Sequence, residues 1–255
     1  MALFGLFGDS KTVYFPGCFT SSFLPGKIEN YRRILKKLDV DFSPVKEKDI
    51  LCCGGFLDEA GYEKEFRKLA RENSETFAKK GTLKIIASCP LCFDMLKQRY
   101  KEILPDWGLE VEHILIMIFN KLIENKDAVR VFSSEKIAYY DSCCLARYSG
   151  ITEQPREILR MLGYKIIELP KDREETLCCG SCGGLPAANP ELANKISEDF
   201  IKMLKRRGIK KLVTADSRAY YYLNKTLENL KIPKEELEVL EFSEVLCDSL
   251  GIKRS

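Results

Sequence analysis

The chain has 255 residues, 45% of them hydrophobic and 31% charged, which is enough apolar material for a sizeable core and excludes disordered and fibrous classes. Lys and Arg total 41 against 38 Asp and Glu, a formal +3 with both signs mixed along the chain, which gives no electrostatic footprint for nucleic acid. The longest purely apolar run, 114 to 119, falls far short of the roughly 20 residues that cross a bilayer, and MALFGLFG at the start lacks the basic flank of a signal peptide, so a soluble, cytoplasmic protein is expected.

In chain order, the first feature is the apolar cluster Leu3, Phe4, Leu6 and Phe7, expected to dock on a partner subunit or a symmetry mate, the alternative being a segment folded onto the chain's own core. A short apolar run at 12 to 15 reads as a buried strand, followed by a helix whose residues Ile28, Tyr31, Ile34, Leu35 and Leu38 share one face. A second strand at 83 to 87 precedes an apolar helix through Ile114, Leu115, Ile118 and Phe119. Strands at 137 to 140, 165 to 169 and 211 to 214 alternate with helices opened by Pro155 and Pro190 and closed before Gly163 and Gly208. A last helix carries Val245, Leu246 and Leu250. Strands alternating with helices predict α/β architecture with parallel sheets, and sites in loops at the strands' carboxyl ends.

The abnormal count is 11 cysteines beside one histidine, His113. A chain of this size needs no disulfide staples, and an odd number of clustered cysteines points to metal ligation or redox chemistry. The clusters also repeat. Cys18 in VYFPGCFT corresponds to Cys143 in AYYDSCCL, LCCGG at 51 to 55 to LCCGS at 177 to 181, and KIIASCPLC ending at Cys92 to KLVTADSRA ending at Ala219. The offsets are 125, 126 and 127, so the chain reads as two tandem copies, 1 to 128 and 129 to 255, each a short parallel sheet flanked by helices.

In the first copy, Cys89 and Cys92 form a CxxC that follows a predicted strand and opens a helix, where both thiolates can converge on one metal. Cys18, Cys52 and Cys53 bring the set to five, whereas tetrahedral zinc takes four ligands and rarely adjacent cysteines; several soft thiolates suit an iron–sulfur cluster. Gly54 and Gly55 allow close backbone approach, and the plain alternative is that some of these cysteines are packed hydrophobes. The order Cys, CysCysGly, CysProLeuCys, with YFPGC at 14 to 18, DSCCLARYSG at 141 to 150, PREIL at 155 to 159 and LCCGSCGG at 177 to 184, resembles the cysteine-rich CCG domain of heterodisulfide reductase catalytic subunits and related iron–sulfur oxidoreductases. The resemblance implies a non-cubane [4Fe–4S] cluster held by Cys18, Cys52, Cys53, Cys89 and Cys92.

The second copy departs from that pattern, with Asp216 and Ala219 at the positions of its CxxC. It adds Cys144 and Cys182 to Cys143, Cys178 and Cys179, five thiols that could rebuild a second cluster, preferably on Cys143, Cys178, Cys179 and Cys182, or form a dithiol site beside the first. Asp216 is expected to cap the helix that follows, His113 to be a cap or core residue, Arg147 and Tyr148 to be solvated or packed rather than to position an anion, and Cys247 to pack.

The resemblance implies an oxidoreductase that works as an electron-transfer or catalytic subunit, cleaving a disulfide substrate or passing electrons on. No ferredoxin-type cysteine run is present, so the resemblance implies an electron-donating or electron-accepting partner subunit, with any membrane association through that partner. It also extends to iron–sulfur subunits of quinone-linked succinate, glycolate or lactate dehydrogenases. A non-enzymatic metal scaffold or a thiol redox sensor is the alternative from another class.

Overall fold

The computed structural model describes residues 11–44 and 52–255, so the apolar cluster at Leu3, Phe4, Leu6 and Phe7 lies outside the described residues. The strands are β1 (Thr12–Phe15), β2 (Ser43–Pro44), β3 (Lys84–Ala87), β4 (Glu110–His113), β5 (Lys136–Tyr140), β6 (Lys165–Ile167), β7 (Lys211–Thr214) and β8 (Glu238–Glu241). In the first copy the helices are α1 (Cys18–Phe23), α2 (Pro25–Lys37), α3 (Gly55–Glu59), α4 (Glu63–Lys79), α5 (Pro90–Asp94), α6 (Tyr100–Ile103) and α7 (Ile114–Glu124). The second copy has α8 (Glu153–Met161), α9 (Leu185–Ala188), α10 (Pro190–Arg206), α11 (Ser217–Asn229) and α12 (Phe242–Leu250).

Among the described residues two four-stranded sheets form, ordered β2-β1-β3-β4 and β6-β5-β7-β8, and every pairing is parallel. The central strands carry the apolar runs because helices cover both their faces: Tyr14, Phe15, Ile85, Ile86, Ala138, Tyr139, Leu212 and Val213 are buried. Phe15 pairs with Ala87 and Tyr140 with Thr214, so in each copy the two central strands end level. Their outgoing loops therefore leave side by side, at the point where the strand order reverses and open α/β sheets place their sites.

Predicted and observed strands agree at the centre of each sheet and differ at the edges. The strand expected at 165 to 169 ends at Ile167 and is only half-buried. β2, β4 and β8 were not expected, because β4 and β8 carry charged residues among their apolar ones (Glu110, Glu112, Glu238, Glu241) and β2 is two residues long.

The two copies exchange their closing helices. After β4, α7 packs on α8 of the second copy; after β8, α12 packs on α2 of the first. The α2–α12 contact buries polar bonds with the apolar ones: Lys27 pairs with Glu244 at 2.8 Å, Tyr31 Oη donates to Glu241 Oε1 at 2.8 Å, and Asn30 Nδ2 donates to Ser243 Oγ at 3.3 Å. One apolar core consequently runs from Ile34 and Phe66 through Ile118 and Ile158 to Phe242 and Leu246, with a smaller core around Phe200, Leu204 and Leu223 at the far side of the second sheet.

Candidate metal centre

None of the 11 cysteines forms a disulfide. The first group is assembled by three segments. Cys18 opens α1 directly after β1, Cys52 and Cys53 precede α3, and Cys89 caps α5 with Cys92 in its first turn. Gly17 makes the approach possible: its φ is +85°, and a Cβ there would lie 2.9 Å from Cys89 Cβ and 3.1 Å from Cys92 Sγ. Cys18 Sγ lies 3.6 Å from Cys52 Sγ, and thiol contacts continue from Cys52 through Cys53 and Cys92 to Cys89. All five line one small cavity together with Phe19, Phe56, Leu91 and Arg218.

Backbone donors face this group. The N–H of Gly54 points at Cys52 Sγ (3.4 Å) and that of Gly55 at Cys53 Sγ (3.4 Å). The Cys18 thiol, the Cys53 thiol and the Gly54 N–H pull Cys52 toward thiolate, while Cys18, the donor to Cys52, is pushed up. The vicinal pair is held from behind by buried polar groups. Asn73 donates to Cys52 O at 2.8 Å and to Tyr100 Oη at 2.7 Å, and Tyr100 donates to Cys53 O at 3.1 Å.

The second group repeats part of this geometry. Gly180, with φ +85°, donates its N–H to Cys178 Sγ at 3.3 Å as Gly54 does to Cys52. The Sγ atoms of Cys143, Cys144 and Cys182 lie within 4.8 Å of one another, and Cys178 meets Cys143. That hydrogen bond from Cys143, with the Gly180 N–H, lowers Cys178 to about 6. Cys179 is turned elsewhere: its Sγ lies 3.2 Å from Ser181 Oγ, and its N–H donates to Tyr140 Oη at 3.1 Å. The structure therefore brings Cys144, rather than Cys179, to Cys143, Cys178 and Cys182. Cys144 is buried at the start of the π turn Cys144–Tyr148, a local departure that the sequence does not signal.

Arg156, the arginine of PREIL, anchors this second group. It is fully buried, forks onto Asp141 at 2.8 and 2.6 Å, and also donates to Glu168 and to Thr152 O. Asp141 O in turn accepts from Thr176 Oγ1 at 2.8 Å, which ties the loop before Cys143 to the loop before Cys178.

The remaining candidates take the plain roles expected of them. Asp216 is the N-cap of α11, accepting from Arg218 N at 2.9 Å and from Ser142 Oγ at 2.6 Å. His113 caps α7 through Leu115 N, packs edge-on against Phe93, and is held neutral, pushed down to about 3 by burial. Cys247 is buried in the main core. Arg147 donates to the backbone of Glu174 and Thr176, and Tyr148 is exposed.

Arg218 was not anticipated. It is buried against the first group's cavity, its ring-stacking partner is Phe56 at 5.3 Å, and Nη2 reaches Cys144 Sγ at 3.8 Å. Its charge adds to the hydrogen bonds that lower Cys89 and Cys182, whose main causes are Cys92 and Cys143 respectively. In the repeat it stands where the first copy has Leu91, which also lines the cavity.

The family model for the cysteine-rich domain, CCG, matches twice, at residues 12–97 and 137–224. Among relatives, a dihydromethanophenazine:CoB–CoM heterodisulfide reductase subunit of Methanosarcina mazei is 31% identical over 198 residues, 76% of this chain and 48% of that protein. The same reductase component of Methanosarcina barkeri is 29% identical over 248 residues, 95% of this chain and 60% of that protein. EtfAB:quinone oxidoreductase of Syntrophomonas wolfei is 33% identical over 152 residues, 60% of this chain and 21% of that protein. The chain thus spans 60% or less of the length of each of these three relatives. With both of its cysteine groups inside the matched segments, the chain belongs to the cysteine-rich domain (CCG) family and carries two copies of that domain.

Proposed function

We propose that this chain is an iron–sulfur electron-transfer or catalytic subunit of a heterodisulfide reductase-like oxidoreductase. A non-cubane [4Fe–4S] cluster is held by Cys18, Cys52, Cys53, Cys89 and Cys92 in a unit of residues 1 to 128. The unit from 129 to 255 holds a second metal group on Cys143, Cys144, Cys178 and Cys182.

The observation that carries this reading is the convergence of five thiols from three segments on one cavity, with backbone N–H groups aimed at two of the sulfurs. The donor set fits the group: all five candidates are soft sulfur, and five exceed the four ligands of tetrahedral zinc. The buried Nε and Nη1 of Arg218 lack acceptors among the described residues, which suits a sulfur-rich anion in the cavity. Bound there, an iron–sulfur cluster supplies one-electron transfer and an iron with affinity for sulfur. The chain's own residues line and orient: Phe19, Phe56 and Leu91 give the cavity apolar walls, Gly54 and Gly55 donate to sulfur, and Asn73 with Tyr100 fixes the vicinal pair.

Reduction of a disulfide to two thiols takes two electrons and two protons, and in this reading the electrons come from a partner subunit. Among the described residues no helix is long and apolar enough to cross a membrane. The similarity to a quinone oxidoreductase favours a second reading, in which the chain relays electrons toward a quinone without cleaving a disulfide. The test is anaerobic purification with iron and acid-labile sulfide assays, followed by reaction of the reduced protein with small disulfides and with quinones. Thiol release supports disulfide reduction; oxidation by quinone alone supports the relay. Protein without iron rejects both.

A further inference from the structure

Among the described residues, the first copy's cavity has a single charged side chain on its wall, and it comes from the second copy. Arg218 is 2% exposed, yet neither Nε nor Nη1 has a hydrogen-bond partner among the described residues. The one carboxylate paired with it among the described residues, Asp216, has Oδ1 3.9 Å from Nε, beyond hydrogen-bond reach, and Asp216 is already engaged as the cap of α11 and by Ser142. Nη2 makes one long contact, 3.8 Å to Cys144 Sγ, and the ring of Phe56 supports the guanidinium at 5.3 Å. A guanidinium offers five N–H donors in a fixed fork, and burying it with most of them unmet is costly unless an acceptor occupies the cavity. The repeat explains how it arrived. Cys89, Pro90, Leu91, Cys92 of the first copy correspond to Asp216, Ser217, Arg218, Ala219, so the second copy gives up two thiols and presents a cation at the position of Leu91.

We propose that Arg218 donates its N–H groups from the second copy to the sulfur-rich group held by the first copy's five cysteines and raises that group's reduction potential. The inference rests on the cluster reading given under Proposed function. A positive charge and N–H···S bonds stabilise the more negative, reduced form, so their loss makes the group harder to reduce. Because Nη2 also touches Cys144, the same side chain links the two cysteine groups directly.

The test uses the full chain, purified anaerobically as wild type, Arg218→Met and Arg218→Lys, with iron and sulfide assays and a redox titration followed by absorbance or electron paramagnetic resonance. Expected are unchanged iron in the variants and a potential in Arg218→Met lowered by a tenfold or greater change in the reduction equilibrium, about 59 mV for one electron. Arg218→Lys, which keeps the charge and loses the fork, falls between. Full iron with an unmoved potential in Arg218→Met overturns the proposal and leaves the cluster reading standing, whereas wild-type protein without iron removes the cluster reading itself. Should Arg218→Met fold poorly, neutral Arg218→Gln is titrated against Arg218→Lys. A lower potential in the neutral variant supports the proposal, and equal potentials overturn it.

Discussion

Replacing Arg156 by Met strands a buried charge. Arg156 is fully buried and Asp141 is 2% exposed, and the two are joined by a bidentate pair at 2.8 and 2.6 Å. Glu168, the other carboxylate on Arg156, is 35% exposed at its side chain and keeps Arg173 at 3.8 Å, so water and Arg173 take over there. Asp141 has no such recourse; among the described residues it keeps one other donor, the N–H of Arg173 at 2.9 Å. Removing one member of a buried ion pair costs about 3–5 kcal/mol, a fifth or more of the roughly 5–15 kcal/mol that holds a domain together. Urea denaturation of iron-matched preparations measures it. The double variant Asp141→Asn/Arg156→Met, which removes both charges, is expected to be more stable than Arg156→Met alone. A loss below about 1 kcal/mol, or a double variant weaker than the single, refutes the reasoning.

His113 gives a pH dependence of definite sign. Its folded value is pushed down to about 3 by burial, against about 6.5 when unfolded, so the unfolded chain binds more protons between those values and stability falls as pH drops through that window. The cost at pH 5.5 relative to pH 7.5 is about 1.4 kcal/mol by linkage, and His113→Asn, which keeps a cap acceptor, should lose that slope; a slope equal to wild type counts against it. Gly17→Ala forces a Cβ to 2.9 Å from Cys89 Cβ at φ +85° and should cost about 2 kcal/mol or more and lower bound iron, whereas Gly61→Ala, at φ +80° with nothing within 4 Å, should lose only the backbone strain of about 1 kcal/mol. Equal melting temperatures for the two would refute the close-approach argument. Cys182→Ser should remove metal from the second group and leave the first intact; unchanged metal per chain would mean that Cys182 only packs.

The repeat was legible because its landmarks are backbone necessities: a thiol after a strand, a vicinal pair followed by a left-handed glycine, and a helix opened at Cys89 or Asp216. The central strands were legible for the same reason, since a strand covered on both faces must be apolar throughout, as Val13 to Phe15 and Leu212 to Val213 are. Edge strands β4 and β8 were not, because charged residues are tolerated where one side is open. The exchange of α7 and α12 left no local mark, as each helix has an ordinary apolar face that either copy could cover. Arg156 and Arg218 stand in the sequence like any other arginines, because burial of an arginine depends on partners 15 or more positions away, such as Asp141, or in the other copy, such as Phe56. That Cys144 gathers with Cys143 and Cys182 at the start of a π turn is not something spacing alone reveals.

The central claim is that the first five cysteines hold an iron–sulfur cluster, and iron with acid-labile sulfide per chain in Cys53→Ser and Cys247→Ala tests it most directly. Both residues are buried, but Cys53 lines the cavity and Cys247 packs in the core. In wild type and in Cys247→Ala, about four irons or more per chain are expected, and Cys53→Ser should lose most of those belonging to the first group. Equal iron in the two variants, or none in wild-type protein purified without oxygen, would contradict the claim.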